Sequence, residues 1–294
     1  MITVPELAAD SLGEFLSSHM QRTFGSATRL TEIVPSIARL VLGCIGNSDA
    51  LYHDVEHTLL VTLAGHDIMW GRSLHSHVSA DEYAHFIIAC LMHDIGFVRG
   101  ILQGDGAEGY VIDASGRKIT LPTGASDAAL FHHHVERSKL FAIERIKPIE
   151  AIDELWVARA IECTRFPIRL PAKGEDDEVA MLVRAADFVG QLGDPNYIRK
   201  ANALYYEFDE AGMNHQLGYA SPADVVNFYP QFYWKTVYPH IETAIRYLNF
   251  TSRGRQWIAN LHSNVFRAER ELLLSGPQTG HVRHRLYEVS TIGR

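Results

Sequence analysis

Apolar residues recur at helical spacing along most of the chain. Runs with this spacing are Leu12-Phe15-Leu16, Ile33-Ile37-Leu40-Val41 and Ile87-Ile88-Leu91. Spacings of three and four residues place apolar side chains on one face of an α-helix. Further helices are predicted near residues 125–146, 150–164, 177–191, 195–211, 222–249 and 253–274, with prolines near several of the breaks. The pattern therefore predicts a mainly α protein.

One segment has a different period. Residues 110–113 and 118–121 alternate with period two on either side of an Ala-Ser-Gly-Arg turn. Such alternation around a glycine-containing turn is typical of a β-hairpin. We therefore predict that residues 110–121 form a small hairpin inserted between helices.

The chain shows no internal repeat and no linker long enough to separate two independent domains. We predict one large helical domain over residues 46–275, which contains the hairpin insert. Residues 1–45 are predicted to form helices that pack on this domain, and residues 276–294 are predicted to be a C-terminal tail. Ser79 is a plausible N-cap for a helix that runs to Met92, and Gly96 is a plausible stop after it.

Composition narrows the class of protein. The 27 basic and 35 acidic side chains give a formal charge of −8, and 47% of residues are apolar, as in ordinary soluble globular chains. An acidic total argues against a surface for duplex nucleic acid, which draws its affinity from Lys and Arg. No stretch approaches the roughly 18 to 20 apolar residues of a membrane helix. We therefore expect no association with membranes. Three widely spaced cysteines indicate reduced thiols, and we expect a cytoplasmic protein.

Histidine is unusually frequent, with 16 residues, and some lie beside carboxylates. His53 and His57 are four positions apart, which places both on one face if that segment is helical. His93 and Asp94 follow an apolar helix, and imidazole together with carboxylate suits a divalent metal ion. Asp187 lies within an otherwise apolar helical stretch, where a buried carboxylate needs a cation or a hydrogen-bond donor. These residues are the candidate metal site.

The order of His57, His93-Asp94 and Asp187 resembles the H…HD…D signature of the HD-domain superfamily of metal-dependent phosphohydrolases. The His53-x-x-x-His57 segment further resembles the core of cyclic nucleotide phosphodiesterases, and the resemblance covers roughly residues 50–195. It implies an HD-type fold and one or two divalent ions, which the ligand chemistry leaves open among Mn, Fe, Mg, Ni, Co and Zn. It also implies that His53 donates a proton to the leaving group, that the other four residues are ligands, and that Asp94 bridges a second ion if one is present.

The His-Asp dipeptide alone carries little information, because the chain contains three, at residues 53, 66 and 93. His93-Asp94 is selected by its setting, namely the preceding apolar helix, the following Ile-Gly, the upstream histidine pair and the downstream aspartate. His66-Asp67 lacks a second ligand cluster at a fitting distance, and we predict that it lies on the surface.

Several other polar residues are weaker candidates. Three consecutive histidines at 132–134 cannot all face one point from a helix, and we assign His133 and His134 as the members that bind a second metal ion or orient its ligands. Arg137, Arg165 and Gln191 are candidate substrate-binding residues. We expect the aromatic run at residues 228–234 to belong to the core.

The predicted function is metal-dependent hydrolysis of a phosphoester bond in a small, nucleotide-like substrate. Two alternatives come from other classes, a mixed-valent di-iron oxygenase of the HD type and a catalytically inactive nucleotide-sensing module. The predicted hairpin lies in sequence between the candidate ligand Asp94 and the histidine cluster, so we expect it to form part of the rim of the substrate pocket.

Overall fold

The computed structural model describes residues 2–25, 29–168 and 177–274. The helices are α1 (Val4–Phe24), α2 (Leu30–Ile45), α3 (Val55–Ser73), α4 (Ala80–Met92), α5 (His134–Ile146), α6 (Glu154–Glu162), α7 (Glu178–Leu192), α8 (Tyr197–Glu210), α9 (Met213–Leu217), α10 (Pro222–Phe232), α11 (Tyr238–Leu248) and α12 (Ser252–Leu274). The strands are β1 (Tyr110–Val111) and β2 (Lys118–Ile119). The chain is therefore a mainly α single domain, as the apolar spacing predicts.

Polar caps and prolines define several helix ends. Ser79 caps α4 by accepting a hydrogen bond from the Glu82 amide at 3.1 Å, as the sequence predicts. The segment predicted as one helix over residues 222–249 is instead divided into α10, a π-helical turn over Tyr233–Val237, and α11. Pro239 lies just after this turn. Because proline has no amide hydrogen and crowds the preceding turn, a regular α-helix cannot pass unchanged through this point.

Helix α3 lies at the centre of the core. It packs against α4, α7 and α11, while α1 packs on α2 and α2 packs on α4. The N-terminal helices thus lie against the core. A Cβ atom at Gly190 on α7 would lie 2.6 Å from backbone atoms of Val61 on α3, so the glycine permits the two helices to approach closely. This close packing brings the middle of α7 beside the first turn of α3.

The predicted β-hairpin is present as a short antiparallel pair. Tyr110 faces Ile119 and Val111 faces Lys118. The β1 strand is joined to α5, because the Val111 carbonyl accepts a hydrogen bond from Arg137 at 2.6 Å.

The structure bears on the predictions for the C-terminus and for membrane association only within the described residues. The tail predicted for residues 276–294 lies outside the described residues. Within residues 2–25, 29–168 and 177–274, no helix has the length and continuous apolar surface that a bilayer-spanning segment needs.

Candidate metal centre and aromatic cleft

Four side chains from three helical segments meet at one point. His93 Nε2 lies 3.0 Å from Asp94 Oδ2 and 3.4 Å from His57 Nε2. Asp187 Oδ1 lies 3.6 Å from His57 Nε2 and 3.7 Å from His93 Nε2. His57, His93 and Asp187 form one group of ligand atoms that all lie within 4.8 Å of one another. The structure thus brings together the four residues predicted as metal ligands.

Local structure explains why these side chains converge. His57 is in the first turn of α3, where its amide donates to the Asp54 carboxylate at 2.9 Å. His93 and Asp94 follow α4 directly, so both project from the end of an apolar helix whose described residues are mostly buried. Asp187 is in the middle of α7, three residues before Gly190, where α7 approaches α3 most closely.

The hydrogen bonding of His93 leaves one ring nitrogen for a cation. Nδ1 lies 2.8 Å from the Cys90 carbonyl oxygen, which can only accept, so Nδ1 carries a proton. In the neutral ring, Nε2 then presents its lone pair to the carboxylates of Asp94 and Asp187. A lone pair facing carboxylate oxygens is repulsive unless a proton or a metal ion lies between them. This donor set therefore fits a divalent metal ion, and the buried His/Asp group could hold one.

The pKa values of the clustered side chains also indicate that this site favours a positive charge. Burial alone would lower the pKa of His93, but the carboxylates of Asp94 and Asp187 raise that pKa to about 9. Burial opposes ionisation of Asp94, yet the imidazoles of His93 and His57 hold its pKa well below the usual range. Burial raises the pKa of Asp187. The carboxylates of Asp94 and Asp187 therefore need at least one positive charge beside them, carried by an imidazole or by a bound ion.

His53 precedes α3 and is not part of it, since Asp54 is the N-cap. The sequence-based expectation of a helical pair is therefore wrong in its geometry, although the rings of His53 and His57 still lie 5.3 Å apart. His53 Nδ1 is paired with the Glu207 carboxylate from α8. Burial disfavours the imidazolium, but the carboxylates of Glu207, Asp94 and Asp187 together outweigh that effect and raise the pKa of His53 to about 9, with Glu207 contributing most. The side chain is therefore held in its protonated form.

Glu207 is the most important residue that the sequence reasoning missed. Its carboxylate also accepts hydrogen bonds from the backbone amides of Tyr52 at 2.6 Å and His53 at 3.2 Å. These contacts fix the segment before α3 against α8. A signal exists in the sequence, because Glu207 continues the buried face of α8 formed by Ala201 and Leu204. An acidic residue on an apolar helix face requires a partner.

The three histidines at 132–134 point to different surroundings, because His132 and His133 lie in the turn before α5 and only His134 belongs to the helix. His134 is buried, and its Nε2 lies 3.6 Å from Asp94 Oδ1, the oxygen opposite to the one that faces His57 and His93. His132 is exposed and contacts the Ala211 carbonyl. His133 is half-buried at the start of α5 and is not among the described residues that line the cleft beside the cluster. Of the two assigned histidines, only His134 lies beside Asp94.

The two arginines predicted to bind substrate have other partners. Arg137 is fully buried, and its guanidinium donates to the carbonyls of Gly96 and Val98 and to both oxygens of the Asp105 carboxylate. Arg165 pairs with Glu162 on α6 and, at 3.4 Å, with Glu136 on α5. Neither arginine lines the cleft described below. The structure therefore does not place either arginine where a ligand in the cleft would contact it, and Arg137 supports the turn that follows Asp94.

A cleft opens above the candidate metal centre, and we call it the aromatic cleft. His53, Asp94, His134 and Asp187 lie at its base. Gln191 lines its wall, and its assignment as a substrate-binding residue stays a prediction. Among the described residues, eight aromatic rings contribute to the lining; they include Phe131, Phe166, Phe188, Phe208, Phe232 and Tyr229.

The aromatic run at residues 228–234 contributes both to the core and to this cleft. Tyr229 and Tyr233 are almost completely buried, as expected for core residues, but Tyr229 and Phe232 also line the cleft. The hairpin at residues 110–121 contributes none of the described residues that line it. The hairpin is therefore not part of this rim, contrary to the prediction, because it packs over Arg137 on α5.

The second His-Asp dipeptide is buried, so the prediction of a surface location is wrong. His66 and Asp67 are 2% and 3% exposed. His66 Nδ1 lies 2.7 Å from the Tyr83 hydroxyl, and Asp67 accepts a hydrogen bond from the Trp257 indole at 2.9 Å. Burial lowers the pKa of His66, so its ring is neutral. The dipeptide joins α3 to α4 and α12 and is separate from the candidate metal centre.

Comparison with known proteins places the chain in a family without assigning an activity to it. No curated protein matches the chain. The family model described as Npun_R2479-like matches residues 2–271, which include every residue of the candidate metal centre and of the aromatic cleft. The chain therefore belongs to the Npun_R2479-like family.

Proposed function

We propose that the protein is a metal-dependent hydrolase of phosphoester bonds. One observation carries the proposal: His53, paired with the Glu207 carboxylate, and a buried metal-type cluster share the base of one cleft. Hydrolysis of a phosphoester requires charge neutralisation at the phosphoryl oxygens and a proton for the departing oxygen. The candidate metal site would meet the first requirement and His53 the second, and both lie at the base of the aromatic cleft.

His57, His93, Asp94 and Asp187 would hold the metal ion. When bound, a divalent ion supplies Lewis acidity and lowers the pKa of water. The four ligand atoms come from buried or largely buried side chains, and the carbonyl bond at His93 Nδ1 fixes the orientation of that ring. The chain itself therefore keeps the ligand geometry in place before a substrate arrives.

His53 is the proton donor in this proposal. Glu207 holds Nδ1, so in the imidazolium the Nε2 hydrogen is the one left for a group bound in the cleft. The ring of Phe97 stacks on His53 at a centroid distance of 4.5 Å and restricts its rotation. A positioned acid of this kind contributes about 10² to 10⁴ in rate when the leaving oxygen is strongly basic.

The number of metal ions and their identity form a further part of the proposal. Asp94 directs one oxygen toward His57 and His93 and the other toward His134. A carboxylate with imidazoles on both sides is suited to bridge two ions. Mixed imidazole and carboxylate ligands accept Mn, Fe, Mg, Ni, Co or Zn, so metal analysis has to decide among them.

The same bridging geometry favours a second candidate function, a two-iron oxygenase. His134 beside Asp94 is the observation that supports it. The two functions are separated by measuring oxygen uptake and phosphoester hydrolysis on one preparation loaded with iron. Oxygen uptake without hydrolysis would favour the oxygenase.

The test of the proposed function uses the two buried His-Asp dipeptides as a matched pair. The chain is incubated with each divalent ion, its metal content is measured, and hydrolysis of bis(4-nitrophenyl) phosphate is followed. His93→Gln should lower metal affinity by roughly 100-fold or more, since even the loss of an outer hydrogen-bond partner typically costs 10- to 100-fold. His66→Gln should leave metal content and hydrolysis unchanged.

Two results would contradict the proposal. One is a folded chain that binds metal at His93 and hydrolyses no phosphomonoester or phosphodiester with any of the six ions. The other is equal loss of metal in the His66→Gln and His93→Gln variants, which would show that metal binding reports general stability.

A further inference from the structure

The wall of the aromatic cleft is chemically unlike its base. The wall is contributed largely by the part of the chain that follows α7, including Phe208 on α8 and Tyr229 and Phe232 on α10. Tyr197 and Tyr229 pack with ring centroids 4.8 Å apart, and Phe188 contacts Phe232 edge to face. Such a surface gains binding energy by removing apolar area from water and by offset or edge contacts with another ring.

Polar groups on this wall are already hydrogen-bonded within the protein. The Thr164 hydroxyl donates to the Ile161 carbonyl at 2.9 Å. Gln191 and the Tyr197 hydroxyl are bonded to each other. The Tyr229 hydroxyl differs, because it is buried and has no hydrogen-bond partner within the described part of the chain. The wall therefore offers a ligand many rings and few free hydrogen-bonding groups.

The charges at the base also restrict what can bind. Asp94, Asp187 and Glu207 place three carboxylates around the candidate metal centre. Any negative charge that a ligand carries beyond its phosphoryl group is opposed by these carboxylates in a partly enclosed site.

We infer that the group esterified at the metal centre is bulky and apolar, an aryl or alicyclic residue bearing at most one small polar substituent, and is not a nucleoside. This inference rests on the proposed phosphoester hydrolysis. A nucleoside brings several hydroxyl, amino and ring-nitrogen groups into the cleft. Each one buried without a partner weakens binding roughly tenfold. An aryl group meets the rings of Phe188, Phe208 and Phe232 without that loss.

The test compares three ligands that share one head group and one charge. They are the methylphosphonate monoesters of 2-naphthol, ethanol and the 5′-hydroxyl of adenosine, and binding to the Mn²⁺-loaded full chain is measured by titration calorimetry. Naphthyl methylphosphonate should bind at least about tenfold tighter than either of the others. Adenosyl binding equal to or tighter than naphthyl binding would overturn the inference.

A variant pair locates the site of binding. Leu217 lines the cleft and is half-buried, whereas Gln216, next to it on α9, is exposed. Leu217→Trp should narrow the cleft and weaken naphthyl binding at least about tenfold while ethyl binding stays unchanged. Gln216→Trp should leave both unchanged. Equal naphthyl affinity in both variants would place the ligand elsewhere and overturn the inference, and the comparison of ligands on the unmodified chain does not depend on either variant folding.

Failure of the inference and failure of the proposed function give different results. Tight adenosyl binding together with hydrolysis of nucleotide esters would refute the apolar substrate and leave phosphoester hydrolysis intact. Selective naphthyl binding in the cleft, without hydrolysis of any phosphoester, would refute the reaction while supporting an apolar occupant.

Discussion

Glu207→Gln tests whether Glu207 holds His53 as an acid. Glu207 accepts hydrogen bonds from the amides of Tyr52 and His53 and pairs with His53 Nδ1. Glutamine has nearly the same shape, and its carbonyl oxygen can still accept from both amides. Its NH₂ group, however, would face Nδ1 and would require that nitrogen to be unprotonated.

The expected magnitude follows from the charges around His53. Burial by itself lowers the pKa of this ring, and Glu207 is the largest opposing influence, which brings the pKa to about 9. Without that carboxylate the pKa of His53 should fall by about 3 units, which corresponds to roughly 4 kcal/mol. Most His53 rings would then be neutral at pH 7. We expect a loss of about 10- to 10³-fold for an ester with a strongly basic leaving oxygen.

The assay compares two leaving groups at pH 7 on metal-loaded protein. An alkyl phosphoester should lose the full factor in Glu207→Gln, whereas a 4-nitrophenyl ester should lose less than about threefold, because its leaving oxygen departs without a proton. His53→Ala should show the same contrast and keep its metal. In the His53→Ala background, the Glu207 substitution should have little further effect on rate.

Glu210→Gln is the matched control, because Glu210 is on the same helix and its carboxylate accepts hydrogen bonds from Ser126 at the protein surface. It should leave both rates unchanged. Equal losses on the two esters in Glu207→Gln, or additive losses in the double variant, would refute the reasoning and show that Glu207 only anchors the segment before α3. Loss of metal in His53→Ala would instead make His53 a ligand.

Three further predictions concern stability. Arg137→Met should destabilise the chain by about 3 to 5 kcal/mol in urea unfolding, because Asp105 is left buried without its partner, and Asp105→Asn in the same chain should restore part of this loss. Gly96→Ala should lower the thermal midpoint sharply, since its Cβ would lie 1.9 Å from a carbonyl oxygen of α5. Burial lowers the pKa of His19 to about 4, so the unfolded chain binds a proton below about pH 6.5 that the folded chain does not. The free energy of unfolding therefore decreases as the pH falls from 6.5 toward 4. In His19→Gln, its decrease between pH 7.5 and pH 5 should be smaller by about 1 kcal/mol, a value that allows for solvent screening.

Local chemistry allowed the sequence to predict the helices and the metal-type cluster. His93 and Asp94 follow an apolar run capped by Ser79, and Asp187 interrupts another apolar run. Helical spacing and the cost of burying a carboxylate are visible within a window of about 20 residues. These segments meet at His57 because the helices pack with the few polar residues of their apolar faces directed toward one another.

Long-range contacts explain what the sequence could not predict. Glu207 meets His53 across 154 residues, and Asp67 meets Trp257 across 190. Neither pairing has a local signature, so His66-Asp67 was assigned to the surface although both of its residues are buried. The carboxylate partners of Arg137 and Arg165 had no local signature either, because a guanidinium that could bind phosphate is indistinguishable in sequence from one that already has carboxylate partners.

The cleft is assembled from two sets of helices that contribute different things. Ligand-type residues come from α3, α7 and the turn after α4, which pack tightly in the main core. Much of the wall comes from α8, α9 and α10, which belong partly to smaller apolar clusters around Tyr52 and Phe97. In the proposed function, the residues that would carry the reaction and most of those that would select the substrate thus lie in different stretches of the chain, and Glu207 on α8 is the exception. If the proposal holds, a library confined to codons 204–232, with Glu207 kept, would diversify the accepted ester while leaving the ligand-bearing helices untouched, and descendants of one ancestral sequence would be able to diverge in substrate by the same route.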